Sequence, residues 1–190
     1  MLSDPTHNTP EHLAHALEQG ATTSVALVSE ALERIADQNG QGPVAFIRVF
    51  EAAARQQAAE SDARRARGQL KSAIDGLPIS VKDLFDVEGY TTRAGSVVLS
   101  GEPHAQQDAV VVQRLRQAGA VVLGTTNMTE FAYSGLGLNP HYGTPLSPFD
   151  RAHGTIAGGS SSGAAVSVAD GMAVGAIGTD TGGSVRIPAA

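Results

Sequence analysis

The stretch DAVVVQRLRQAGAVVLGTTNM (108–128) limits the fold more than any other. Its first half has a helical pattern, with Asp108 as a candidate cap and Gly119 as a stop. Its second half, from Ala120, is an apolar run that reads as a buried strand. A helix that passes through one glycine into an apolar strand is the packing unit of a layered α/β protein. GAAVSVADGM (163–172) followed by AVGAIGT (173–179) repeats that order with smaller residues. GLPISVKDLFDVEG (76–89) adds a β-rich run between two glycines.

The segment before Gly68 is different. A helix opens at Thr9–Pro10 and stops by Gly20. A second spans 23–38, with Val25, Val28, Leu32 and Ile35 on one stripe, and a third spans 51–67. Residues 44–50 read as a short strand or extended link, and 133–160 as loops. The expected organisation is one α/β domain, mainly helical over 1–70 and α/β over 71–190, with no long linker between the two parts. Hydrophobic residues make up 42% of the chain but aromatic ones only 4%, so the core must be built from small side chains.

The formal net charge of −6 argues against nucleic acid and anionic membranes as partners. Arg64, Arg65, Arg67 and Lys71 form a local basic cluster on a helical pattern, expected to be a solvated face. The chain has no cysteine, which excludes a disulfide scaffold, a thiolate nucleophile and cysteine-bound metal. Its histidines are scattered without metal-ligand spacing, so no metal or cofactor is expected. The opening MLSDPTHNTPEH lacks the pattern of a signal peptide, and no apolar run is long enough to span a bilayer. These features suggest a cytoplasmic protein with no membrane partner.

Two serine- and glycine-rich stretches remain. AGGSSSGAAV (157–166) lacks the lysine of a P-loop. Gly159 to Gly163 matches G-x-S-x-G with Ser161 as nucleophile, but FDRAHGTIAG is a poor strand to precede it, and every histidine comes earlier in the chain. Asp180-Thr181-Gly182 matches the aspartic-protease tripeptide, yet that fold is almost entirely β.

Four blocks, in order and at matching intervals, carry a resemblance: GLPISVKDLFDVEGYTTRAGS, DAVVVQRLRQAGAVVLGTTNMTEFAYSG, AGGSSSGAAVSVADGM and GTDTGGSVRIPAA. Together they resemble the amidase signature family from about Gly76 to Ala190. The resemblance implies a mixed central β-sheet flanked by helices. It implies Ser184 as nucleophile, Ser160 as bridging serine after a cis peptide from Gly159, and Lys82 as base. It also implies an amidohydrolase that converts a small linear carboxamide to acid and ammonia or amine through a Ser-Ser-Lys triad and an acyl-enzyme. The alternatives are a non-catalytic fragment and an amidotransferase A-type subunit; a homo-oligomer is left open. Family members run to well over twice this length, so the chain is expected to be a truncated N-terminal part, poorly soluble or oligomeric on its own and weakly active or inactive.

The chemistry sets requirements for these residues. A serine hydroxyl needs a base, and lysine serves only if burial lowers its pKa from about 10.4 toward roughly 7–8. Lys82 lies in PISVKDLF, where strand alternation sends the one nearby charge, Asp83, to the other face. Its bland reading is a lysine snorkelling at a strand end. Thr181, Gly182 and Gly183 are expected to offer backbone amides to an oxyanion, because the two glycines let the backbone come close; a tight turn with Ser184 as helix cap is the structural alternative. Asp180 is expected to brace the turn and Arg186 to form an ion pair. The roles of Asn127 and Glu130 stay open. Ala157, Thr125 and PLSPFD depart from the usual family residues around the Ser160 loop.

Overall fold

A computed structural model describes residues 9–190; the first eight residues of MLSDPTHNTPEH, read as lacking a signal-peptide pattern, lie outside them. Helix α1 (Pro10–Glu18) starts at Thr9, whose hydroxyl accepts from the His12 N–H. Helix α2 (Ser24–Ala36) starts at Thr23, which caps Ala26. Thr9 is the sequence-predicted cap, and Thr23 opens the second helix where its predicted span begins. The first two N–H groups of α2, on Ser24 and Val25, donate to the Asp62 carboxylate at 2.8 and 3.0 Å. Asp62 lies on α4 (Glu51–Ala66), so one helix terminates the free donors of another. The predicted stripe on α2 is displaced: Leu27, Val28, Ala31, Leu32 and Ile35 are buried, whereas Val25 is exposed.

Between these helices lie the single turn α3 (Gly42–Ala45) and strand β1 (Phe46–Val49). Strand β2 (Pro78–Lys82), helix α5 (Val110–Gln117), strand β3 (Val121–Thr126), helix α6 (Ser162–Ala169) and strand β4 (Gly175–Ile177) complete the chain. The strands form one mixed sheet in the order β1-β3-β2-β4. β1 runs antiparallel to β3, while β2 is parallel to both β3 and β4. The helical N-terminal third therefore contributes an edge strand to the same sheet as the α/β part.

Both faces of the sheet are covered, and alternation along β3 shows it. Val121 and Leu123 pack with α1, α2, α4 and α6, where Ala31, Ala45, Ala54 and Ala58 provide the small-residue core. Val122 packs on the other face with Val81, Val112, Phe50 and Val87. Ser80 and Lys82 of β2 point to the α6 side, where the Ser80 hydroxyl hydrogen-bonds to that of Ser167 at 2.8 Å. β4 is less buried and pairs on one side only. An apolar groove of about 480 Å³ lies beside it, between Phe149, Ala165, Val168 and Val185.

Two surface expectations change. Asp108 is not the cap of α5: Ala109 occupies that position, while the Asp108 carboxylate accepts from the Glu88 N–H and pairs with Arg116. Nor is the basic cluster simply a solvated face. Arg64 forms a bidentate pair, at 2.7 and 3.0 Å, with the fully buried Asp75. The loop after α4 folds back and carries Asp75 under the helix end, a contact that helix periodicity alone cannot register. Burial pushes the Asp75 carboxyl up, but the Arg64 guanidinium and the Lys71 N–H outweigh it and hold the group below the usual carboxylate range. This brace fixes the chain just before β2, and Gly119 (φ +90°) fits against it with no room for a Cβ.

Replacing Arg64 by Met should leave a buried carboxylate unpaired and lower unfolding stability by about 3–5 kcal/mol. Urea denaturation of the two proteins measures it; a change under about 1 kcal/mol, the range of exposed pairs, would mean that Asp75 is solvated instead.

Candidate active site

The three parallel strands end on one side of the sheet, and functional groups in open α/β sheets gather beyond such carboxyl ends. Lys82 is the last residue of β2. Thr179 lies two residues past the end of β4, its neighbour. The serine loop 158–161 leads into α6, which covers the same face.

Lys82 is fully buried, and its Nζ donates to Ser160 Oγ at 2.6 Å and to Thr179 Oγ1 at 2.8 Å. Burial lowers its pKa from 10.5 to about 8, with the nearby negative charge of Asp180 working the other way. The snorkelling alternative is thus not what the structure shows. Asp83 faces away from the amine, as alternation requires. It is buried, and its carboxylate accepts from the Gly95 N–H at 3.1 Å. Burial raises its pKa, against the pull of that N–H, of Thr125 and of the Arg93 and Arg48 charges.

Ser160 is held from several sides. The Gly159–Ser160 peptide is cis, as the resemblance implies. The Ser160 carbonyl accepts from Thr129 N–H, the Gly159 N–H donates to the Gly135 carbonyl, and the Gly137 N–H donates to Thr129 Oγ1. Any Cβ on Gly159 would lie 2.6 Å from the Gly137 nitrogen, so only glycine fits there. Two buried asparagines fix the surrounding loops. Asn127 donates to the carbonyls of Val44 and Gly143, and Asn139 to those of Gly95 and Met128. Glu130 accepts from the Ser96 hydroxyl and pairs with His141, which answers the question left open for it. Ala157 packs against the core.

Ser184 is half-buried. Its carbonyl accepts from the Ser161 N–H at 3.1 Å, which ties the two serine stretches together. Its hydroxyl makes no hydrogen bond among the described residues. The structure therefore brings Lys82 and Ser160 into contact and places Ser184 beside their loop, without a bond between the Ser184 and Ser160 hydroxyls. Ser184 opens a turn over residues 184–189. Asp180 braces that turn: its carboxylate accepts from the N–H groups of Gly183, Val185 and Arg186 and from the Arg186 guanidinium, at 2.7–3.0 Å. The Arg186 guanidinium and these amides hold its pKa far below the carboxylate range. Its oxygens are committed to the turn, and the sheet is covered by helices, whereas the aspartic-protease reading needs an almost entirely β fold. The Gly183 N–H is directed at Asp180, while those of Thr181 and Gly182 are unengaged among the described residues. Gly183 has φ +112°, and a Cβ there would meet Ile187, whereas Gly182 borders open space.

The elbow reading of Ser161 also loses its support. No strand directly precedes Gly159, and the Ser161 hydroxyl is buried, directed at the Thr179 carbonyl at 3.4 Å. Thr179 itself went unnoticed in the sequence. The only signal was its place just past an apolar strand, and that means something only once β4 is known to lie beside β2. Among the described residues no group of three or more His, Cys, Asp or Glu side chains is placed to hold a metal ion. No helix among them is long and apolar enough to cross a membrane.

The family description Amidase matches residues 26–190. The AtzE component of 1-carboxybiuret hydrolase from Pseudomonas sp. (strain ADP) is 44% identical over 93% of this chain and 38% of its own length. The A-type subunit of glutamyl-tRNA(Gln) amidotransferase from Anaeromyxobacter dehalogenans (strain 2CP-C) is 45% identical over 90% and 34%. The crystal structure of native peptide amidase from Stenotrophomonas maltophilia superposes with a TM-score of 0.83 at 37% identity, covering 95% of this chain and 38% of that one. The chain thus spans little more than a third of the length of these relatives.

The chain contains two lysines, Lys71 and Lys82. With Lys71 replaced by Arg, the single lysine Cε resonance is expected to titrate at about 8 rather than 10.5. A midpoint above 10 in the folded chain would show the amine to be solvated.

Proposed function

This chain belongs to the amidase family, and on that footing we propose that it carries the reacting groups of a Ser-Ser-Lys amidohydrolase acting on small linear carboxamides. The observation that carries the reading is the buried 2.6 Å contact between the Lys82 amine and the Ser160 hydroxyl. Few roles other than proton transfer explain a lysine placed without solvent, without a paired carboxylate and with a pKa brought down to about 8.

In this reading uncharged Lys82 takes the proton of Ser160 while Ser160 takes that of Ser184. The Ser184 oxygen then bonds to the carbonyl carbon. The developing oxyanion faces the amides of Thr181 and Gly182; Gly183, whose own N–H holds Asp180, acts by setting the turn. Collapse breaks the C–N bond, and the proton stored on Lys82 returns through Ser160 to the leaving amine. Water then enters by the same relay and releases the acid from Ser184. The relay requires the Ser184 side chain to turn onto Ser160. With β4 unpaired on one side and the groove beside it open, the 190-residue chain alone is expected to turn over slowly.

A second reading follows from relatives named as amidotransferase subunits at 45% identity. The same hydrolytic centre would then feed ammonia to a partner. Ammonia release from a simple carboxamide without nucleotide or partner separates the two.

A fluorophosphonate should label the chain at Ser184. Labelling should vanish in Ser184→Ala and fall at least about 100-fold in Ser160→Ala, the usual contribution of a positioned proton carrier. Ser161→Ala should retain it. Because the base works uncharged, the labelling rate should rise with pH and level off above about 8. Labelling lost only in Ser161→Ala would overturn the assignment.

A further inference from the structure

We propose that Thr179 is a positioning residue: by accepting one N–H of the Lys82 amine, its hydroxyl turns the nitrogen lone pair toward Ser160. The inference rests on the reading of Lys82 as the base. It follows from counting donors. A charged ammonium has three N–H groups, whereas an uncharged amine has two and one lone pair. Among the described residues Nζ meets two oxygens, Ser160 Oγ and Thr179 Oγ1, and the side chain is shut off from bulk solvent.

Were Ser160 the sole neighbour, the amine would satisfy itself by pointing an N–H at the Ser160 oxygen. That is the wrong polarity for a base, which must present its lone pair to the Ser160 O–H. Thr179 offers a second acceptor, 2.8 Å from the nitrogen, so an N–H can be satisfied there while the lone pair faces the Ser160 O–H. When the Ser160 O–H bond breaks, its proton becomes the third N–H of Lys82. The ammonium then donates both to Ser160 Oγ, which is taking the Ser184 proton, and to Thr179. One hydroxyl thus serves both protonation states of the lysine.

The fold gives Thr179 little freedom in this position. β4 lies beside β2 in register, with Ile177 opposite Val81, so the two chains leave the sheet side by side. The Ser161 hydroxyl is directed at the Thr179 carbonyl, linking that backbone to the loop that carries Ser160. The residue that orients the amine and the residue that receives its lone pair are therefore fixed to the same short loop. Asp180 follows directly, and its carboxylate is committed to the turn rather than to the amine.

The test compares Thr179→Val, which keeps shape and removes the acceptor, with Thr179→Ser, which keeps the acceptor. If the valine variant melts early, Thr179→Ala replaces it. The rate of fluorophosphonate labelling at Ser184 is measured against pH on the 190-residue chain. The hydroxyl-free variant is expected to lose about tenfold or more in plateau rate, with its midpoint moved to lower pH because the ammonium has lost an acceptor. Thr179→Ser should stay within about threefold of the parent with an unmoved midpoint. A parent-like rate and midpoint in Thr179→Val would overturn the role of Thr179 and leave the Lys82–Ser160 relay standing. Parent labelling that is insensitive to Lys82→Ala would overturn the relay and this assignment together.

Discussion

An amine shut away from solvent is the constraint on which the rest of the site depends. Lys82 reaches that condition because β2 is covered on both faces and because its side chain points under α6 rather than out of the sheet. The shift from 10.5 to about 8 corresponds to roughly 3 kcal/mol of disfavoured ammonium, a cost that the surrounding fold must offset. Two hydroxyls meet the nitrogen, and the nearest carboxylates are employed elsewhere. Asp83 is on the opposite face, bound to Gly95, and Asp180 is tied up by Arg186 and three backbone amides. Had either carboxylate paired with Lys82, the amine would stay charged at neutral pH.

Around this nitrogen the loops are held by polar side chains rather than by apolar packing. Asn127 joins the α3 turn to the 139–144 loop, and Asn139 joins Gly95 to Met128. Thr129 clasps the Ser160 peptide and Gly137 at once. Irregular backbone needs such partners, because buried N–H and C=O groups without them are expensive. The result is a rigid cradle for Ser160 and, through the Ser161–Ser184 backbone bond, a fixed seat for the second serine.

Similarity to peptide amidase and to the amidotransferase subunits extends over nearly the whole of this chain but only over about a third of theirs. The part that matches the family, residues 26–190, holds the lysine, both serines and the turn that Asp180 braces. The apolar groove beside β4 is lined in part by Val185, so it adjoins the group proposed to attack the substrate.

Much of this was legible in the amino-acid order. Thr9, Pro10 and Gly20 located α1, side-chain patterning located α2, α4, α5 and α6, and apolar runs located β2, β3 and β4, because these signals act between residues close in sequence. Alternation along PISVKD separated Lys82 from Asp83, and the four blocks implied Lys82, Ser160 and Ser184 as a set, of which Lys82 and Ser160 are in direct contact. Sequence could not reveal Asp75 under Arg64, the true buried stripe of α2, or Thr179 at the amine, since each depends on elements distant in the chain becoming neighbours. Chain order determined which residues carry reactive groups and which face of a strand each occupies. Only the tertiary structure decided that β4 lies beside β2, and that adjacency is what gives the lysine two hydroxyl partners in a place closed to bulk solvent.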